Sequence, residues 1–111
     1  GNNAVITLTE GGLNSAQTLI TASPTSLEAN GISTSIITVQ VKDSNGNNVN
    51  NGGDVVSLTA DLGTIGAVTD NSDGTYTGIY TSATTVGTAT ITGTLNSIVI
   101  TDNASISLKN G

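Results

Sequence analysis

The chain has 111 residues, enough for one domain with its own core, and a formal net charge of −6 with only two Lys or Arg residues. It has no His, Cys, Met, Phe or Trp, so it cannot supply a Ser-His-Asp triad, a thiol nucleophile or a thiolate or imidazole zinc site. The lack of clustered cations argues against nucleic-acid binding, and the absence of an apolar run of about 18 residues argues against membrane insertion. We expect neither an enzyme nor a cofactor.

The first segment, residues 3–9, alternates apolar and polar side chains and is predicted to be a strand. Its frame, Asn-Ala-x-Ile-x-Leu, returns in residues 103–108, which indicates tandem repeats. We therefore expect residues 1–17 to hold the closing strand of a preceding repeat followed by a linker. Residues 18–111 are predicted to form one domain.

The strongest strand pattern lies in residues 33–42. Ile37, Val39 and Val41 alternate there with polar positions, as in a strand with one buried face. Residues 43–48 follow, and their Asn and Gly residues tolerate positive φ while their short side chains bond to nearby backbone. A tight turn is predicted at this point.

Short runs of strand character fill the rest of the chain. Pro24, which has no backbone N–H, separates two of them and indicates a sheet edge or a switch between sheets. The other runs predicted as strands are residues 19–23, 26–29, 55–60, 67–69, 75–82, 86–95 and 103–109. No window shows helical periodicity, so we predict an all-β fold, an antiparallel β-sandwich of about seven to eight strands.

Four stretches occur in a specific order: residues 23–31, residues 41–49 with the sequence Val-Lys-Asp-Ser-Asn-Gly-Asn-Asn-Val, residues 69–77, and residues 87–93. Together they resemble the bacterial immunoglobulin-like domains of the invasin and intimin type. The resemblance implies an immunoglobulin-like β-sandwich that acts as a non-catalytic structural spacer, one stalk repeat of a surface or secreted adhesin-like protein that presents a distal domain.

The same resemblance implies neighbouring repeats of the same chain as partners and a location that is extracellular or on the bacterial cell surface. A host or surface ligand stays open. The N-terminus has no secretory signal pattern, so we expect the export signal to lie elsewhere in a longer protein.

Two turns carry oxygen-bearing side chains at a density that calcium sites also have. The candidate ligands are Asp43, Asn45, Asn47, Asp70 and Asp73. Neither turn has the spacing of an EF-hand with its distal Glu, and tight turns use the same residue types for backbone reasons. We therefore expect turn formation, with calcium binding as the alternative.

Tyr76 and Tyr80 lie on one face of the predicted strand at residues 75–82, together with Gly78. If that face met solvent, the two rings could form a glycan-binding platform. Their position just after a tight turn instead resembles a tyrosine corner, with the Tyr76 hydroxyl bonded back to the turn. The alternative function is thus a ligand-binding module that uses its acidic turns or these tyrosines.

Overall fold

The structure is a computed structural model that describes residues 14–110. It contains no helix within those residues, and its ten strands are β1 (Leu19–Ser23), β2 (Ser26–Glu28), β3 (Thr34–Gln40), β4 (Val56–Ala60), β5 (Thr64–Ile65), β6 (Thr69–Asp70), β7 (Thr75–Thr81), β8 (Gly87–Leu95), β9 (Ile98–Val99) and β10 (Ala104–Lys109). The strands form two sheets, β1-β3-β7-β5 with β6 on β7, and β2-β10-β8-β4 with β9 on β8. The predicted all-β sandwich is confirmed.

The strand number is higher than predicted because three strands, β5, β6 and β9, are only two residues long. Such short strands have no periodicity of their own and are defined by their partners. One of them, β6, also lies later than the strand predicted at residues 67–69, because Asp70 pairs with Tyr76 across the hairpin.

The core lies between the two sheets and is built by alternation. In β3, Ile37 and Val39 are fully buried, and in β8 the inward positions include Ala89 and Ile91. Polar or half-exposed residues occupy the positions between them, so each sheet has one apolar and one solvated face. The inward positions predicted for both strands are confirmed.

Pro24 marks a switch between sheets, which is one of the two roles that the sequence predicted for it. The strand before it, β1, pairs antiparallel with β3, whereas β2 after it pairs with β10 of the other sheet. The β2–β10 pair is parallel, unlike every other strand pair in residues 14–110, so the sandwich is not purely antiparallel. The Ser23-Pro24 peptide bond is cis.

The chain passes from one end of the sandwich to the other. Asn14 donates its N–H to the carbonyl of Lys42 (2.9 Å), just beyond the last residue of β3; we call this the entry end. The carbonyl of Lys109 accepts the N–H of Ala29 (2.7 Å), and Gly31 bonds to the carbonyl of Ala83 near the first residue of β3; this is the exit end. The seven residues of β3 separate the two ends by about 24 Å.

Residues 14–18 form a hydrogen-bonded turn at the entry end. The Asn14 side-chain oxygen accepts the N–H groups of Ala16 (2.8 Å) and Gln17 (3.1 Å), and Thr18 is fully buried. Residues 14–17, expected to be linker, are therefore bonded within the domain. The strand predicted at residues 3–9 lies outside the described residues.

Candidate functional site

The first acidic turn is folded around the carboxylate of Asp43. Its Oδ1 accepts the backbone N–H groups of Asn45 and Asn47, both at 2.9 Å, and the side chain is only 5% exposed. The Asp43 N–H in turn donates to the carbonyl of Asn47 (2.9 Å). Asn45 and Asn47 thus contribute backbone donors, and the carboxylate stabilises the turn from inside.

The second acidic turn uses Asp70 and Asp73 in the same way. The two oxygens of Asp70 accept the N–H groups of Ser72 and Gly53, each at 2.8 Å. Asp73 Oδ1 accepts both the hydroxyl (2.6 Å) and the N–H (3.0 Å) of Thr75, and these bonds lower the pKa of the Asp73 carboxyl. The turn residues hold each other and the residues 52–53 loop.

Both acidic turns lie at the entry end, since one follows β3 and the other precedes β7. They do not merge into one ligand cluster: among residues 14–110, no three acidic side chains converge in the manner of a metal site. Asp70 and Asp73 share one turn, and the carboxylate of each already accepts hydrogen bonds from other residues. The chemical role of these hydrogen-bonded carboxylates is to fix the geometry of the two turns.

Tyr76 is 1% exposed and Tyr80 is fully buried, so the glycan platform predicted as an alternative is wrong. The Tyr76 hydroxyl accepts the N–H of Asp54 (3.0 Å) and donates to its carboxylate (3.4 Å). The Tyr80 hydroxyl donates to the carbonyl of Leu62 (2.6 Å). Each phenol is an anchor between the core and a loop at one end of the sandwich.

The expected tyrosine corner is also corrected. Tyr76 bonds to Asp54, 22 residues upstream, and not to the turn that directly precedes it. Burial raises the pKa of both phenols, and the carboxylate of Asp54 adds to the effect at Tyr76, as does that of Asp61 at Tyr80.

Sequence reasoning missed Asp54 and Leu62 as partners of the two tyrosines. The glycine that follows Leu62 fits the second contact, because Gly63 has φ +87° and a Cβ there would collide with the Tyr80 hydroxyl. Asp54 also accepts a bond from the side chain of Asn96 (3.3 Å), which links a third loop to the same anchor. These contacts join residues far apart in sequence, so no local spacing of residues predicts them.

Across residues 14–110 the surface has no ligand-sized pocket. Within the same residues no helix is long and apolar enough to cross a membrane.

Comparison with known proteins identifies the family. The family described as "Invasin, domain 3" matches residues 14–111. The chain belongs to this family. The resemblance to invasin- and intimin-type immunoglobulin-like domains is therefore confirmed, and the chain is an immunoglobulin-like domain of the kind that adhesins contain.

Two solved structures support this invasin domain assignment. The adhesin InvE of Yersinia pseudotuberculosis is 33% identical, with a TM-score of 0.79 over 88% of this chain and 28% of that chain. Invasin, described as a bacterial integrin-binding protein, is 29% identical, with a TM-score of 0.81 over 93% of this chain and 21% of that one. The invasin domain described here thus spans only about a quarter of the length of such relatives.

A more distant similarity shows the fold alone. A family 2 glycosyl hydrolase from Bacteroides cellulosilyticus is 18% identical, with a TM-score of 0.68, and the match covers 91% of this chain but 14% of the hydrolase. The same sandwich therefore also occurs as a small part of a large enzyme.

Proposed function

We propose that the chain is a non-catalytic spacer domain of a bacterial adhesin, one member of a tandem array that holds a distal domain away from the cell surface. The observation that carries the proposal is the path of the chain, which enters beside Lys42 and leaves beside Ala29 at the opposite end. A domain with this path adds its full length to an array. A domain whose termini met at one end would add little.

The chemistry of the domain supports a non-catalytic role. The candidate carboxylates at Asp43, Asp70 and Asp73 accept hydrogen bonds from their own turns, and Tyr76 and Tyr80 are buried. With no His or Cys in the chain, neither a thiol nucleophile nor a hydroxyl activated by His is available. The domain offers a rigid body with a solvated surface.

The proposal extends to location and partners. Because the relatives are an adhesin and an integrin-binding protein, we place this domain outside the cell or on the bacterial surface. Its partners are neighbouring repeats of the same chain. The strand predicted at residues 3–9 would close the preceding repeat, whereas residues 14–17 are hydrogen-bonded to this domain and lead into residues 18–111. With only two cations in the whole chain, the composition does not support nucleic-acid binding as its role.

The decisive experiment is a domain swap in the full-length surface protein that contains this chain. In one variant the domain is deleted, and in another it is replaced by an unrelated β-sandwich whose termini also lie at opposite ends. We expect deletion to reduce adhesion of the bacteria to their target cells and replacement to restore it. Length and stiffness, and no particular side chain, would then be the function.

The alternative, a ligand-binding module that uses its acidic turns, predicts the opposite. Replacement would fail to restore adhesion, and beads coated with the purified chain would bind target cells. Changing either Asp70 or Asp73 to Asn would weaken that binding, whereas changing the distant Glu28 to Gln, which removes the same single charge, would leave it unchanged. That outcome would overturn the spacer proposal.

A further inference from the structure

The first and last segments of the described chain lie side by side in the same direction. Residues 15–29 run beside residues 101–109, and we call this pair of segments the terminal seam. At the entry end Thr101 donates its N–H to the carbonyl of Ser15 (3.2 Å), and Ile20 donates its N–H to the carboxylate of Asp102 (2.9 Å). Contacts so close to both termini are unexpected from any local pattern.

The terminal seam continues to the exit end. Ser107 donates its N–H to the carbonyl of Thr25 (2.8 Å), β2 and β10 pair in parallel over three residues, and Ala29 donates to the carbonyl of Lys109 (2.7 Å). Apolar packing lies beneath this part of the seam, because Leu108 is buried and Leu27 packs against the core. The seam thus extends between the two ends of the sandwich.

The direction of the seam decides how it responds to tension. When the two termini are pulled apart, residues 15–29 are drawn towards the entry end and residues 101–109 towards the exit end. Both segments run from entry end to exit end, so the force slides one past the other along their length. The evenly spaced bonds of a parallel ladder then carry the load together, whereas a force across the strands would open them one at a time.

We propose that the terminal seam gives this domain its resistance to end-to-end force, because it is the set of contacts that must break before the domain unfolds when its two ends are pulled apart. The proposal rests on the spacer function, because only a member of an array under tension has its two ends pulled apart. The pairing of β1 with β3 is loaded lengthwise as well, but the seam alone joins the N-terminal segment directly to the C-terminal strand.

A reversible metal crosslink tests the seam without disturbing the fold. Ser26 and Ser107 are register partners on the outer side of the seam, and Ser57 and Thr94 are register partners in β4 and β8, away from it. Each pair is changed to His, giving Ser26→His with Ser107→His, and Ser57→His with Thr94→His as the matched control. The native chain has no His, so added nickel binds only at the introduced pair.

The readout is the unfolding force of single molecules held by handles fused to the two ends of the chain. We expect nickel to raise the melting temperature of both variants, which shows that it binds. It should raise the end-to-end unfolding force of the seam variant only. An equal rise in force for both pairs, or a rise for the control pair alone, would overturn the proposal.

Proline substitutions give an independent test. Ala29 donates its N–H across the seam, whereas by strand alternation the N–H of Glu28 points away, to the edge of β2 that pairs with no other strand of residues 14–110. Ala29→Pro should lower the end-to-end unfolding force, and Glu28→Pro should leave it nearly unchanged. Equal unfolding forces for the two variants would contradict this role of the seam.

A second pulling geometry separates the seam from general stability. With Asn45→Cys and Thr84→Cys as attachment points, the force passes through β3 and β7 and leaves the seam unloaded; the native chain has no Cys to compete. Ala29→Pro should lower the force end to end and not in this geometry. A seam that fails these tests while the domain swap restores adhesion refutes the seam alone; a failed swap refutes the spacer function, whatever the forces.

Discussion

At the residue scale, the two buried phenols make stability depend on pH. Burial raises the pKa of Tyr76 and Tyr80, so the folded protein keeps both protons at a pH where the unfolded chain, with an ordinary tyrosine pKa of about 10, releases them. Unfolding then releases protons, and the free energy of unfolding falls as pH rises. We expect it to be nearly constant from about pH 6 to about pH 9 and to decline above about pH 10, measured by denaturant titration at each pH.

Phenylalanine variants provide the control. Tyr76→Phe and Tyr80→Phe should each cost about 1 kcal/mol at neutral pH, because each removes a hydroxyl that bonds to a loop. The double variant should lose most of the alkaline decline. A decline of unchanged size in that variant would assign it to other groups and contradict this account of the tyrosines.

Gly74 shows how a single backbone position fixes the second acidic turn. It has φ +92°, and a Cβ there would collide with the carbonyl of Val49, whereas Gly53 has a similar φ of +99° with nothing within reach of a Cβ. Gly53→Ala should therefore cost only the backbone strain, about 1 to 2 kcal/mol, and Gly74→Ala clearly more. Urea unfolding of the two variants side by side measures the difference, and equal losses would contradict the collision.

At the element scale, the sequence located the long strands well. The strands predicted at residues 55–60, 75–82 and 86–95 are found at Val56–Ala60, Thr75–Thr81 and Gly87–Leu95. Their side chains alternate over five or more residues, and alternation is a local property that a sequence displays directly.

What could not be predicted depends on partners. The two-residue strand β9 exists because Ile98 and Val99 lie opposite the end of β8, and the parallel pairing of β2 depends on where β10 runs. Prediction of the candidate site was limited in the same way, by contacts between segments distant in sequence. The turn residues were found from composition, whereas the bonds from Tyr76 to Asp54 and from Tyr80 to Leu62 join distant segments.

The acidic turns carry a prediction about calcium. Since the carboxylates of Asp43, Asp70 and Asp73 already accept backbone hydrogen bonds, binding an ion would have to break or share them. We expect millimolar calcium to leave the melting temperature unchanged within about a degree, because a site filled at a hundred times its dissociation constant would add about 2.7 kcal/mol and raise the melting temperature by several degrees.

The measurement is calorimetry of the chain with calcium and then with excess EDTA. Magnesium at the same concentration controls for general screening of a chain with a net charge of −6. A calcium-specific rise of several degrees, reversed by EDTA and absent in Asp70→Asn, would assign a calcium site to the second turn.

At the scale of the whole molecule, the sequence indicated a tandem repeat, and the structure adds the path that makes an array physically sensible. The segment of residues 15–29 crosses from one sheet to the other at Pro24 and lies beside β10, so both sheets of residues 14–110 belong to one connected body. No periodicity predicts this route, since it depends on which strands neighbour each other. The last strand, β10, is consequently as important for the stability of the domain as any strand of the core.

The two ends of the chain are expected to differ most in what their deletion costs in stability. The closing strand β10 lies between β2 and β8 and buries Ile106 and Leu108 almost completely. Truncating one such side chain to Ala costs about 2 to 5 kcal/mol, so deleting residues 103–111 should remove most of the roughly 5 to 15 kcal/mol by which a domain of this size is stable.

Residues 1–10 carry the same Asn-Ala-x-Ile-x-Leu frame but, in our proposal, close a preceding repeat. Deleting them should leave the melting temperature within a few degrees, while deleting residues 103–111 should abolish the cooperative transition in calorimetry. Restoring the second deletion with a separate peptide of residues 103–111 should recover the transition, which separates loss of β10 from a general defect. If the first deletion unfolds the domain as thoroughly as the second, residues 3–9 are an integral part of it and the repeat boundary lies before them.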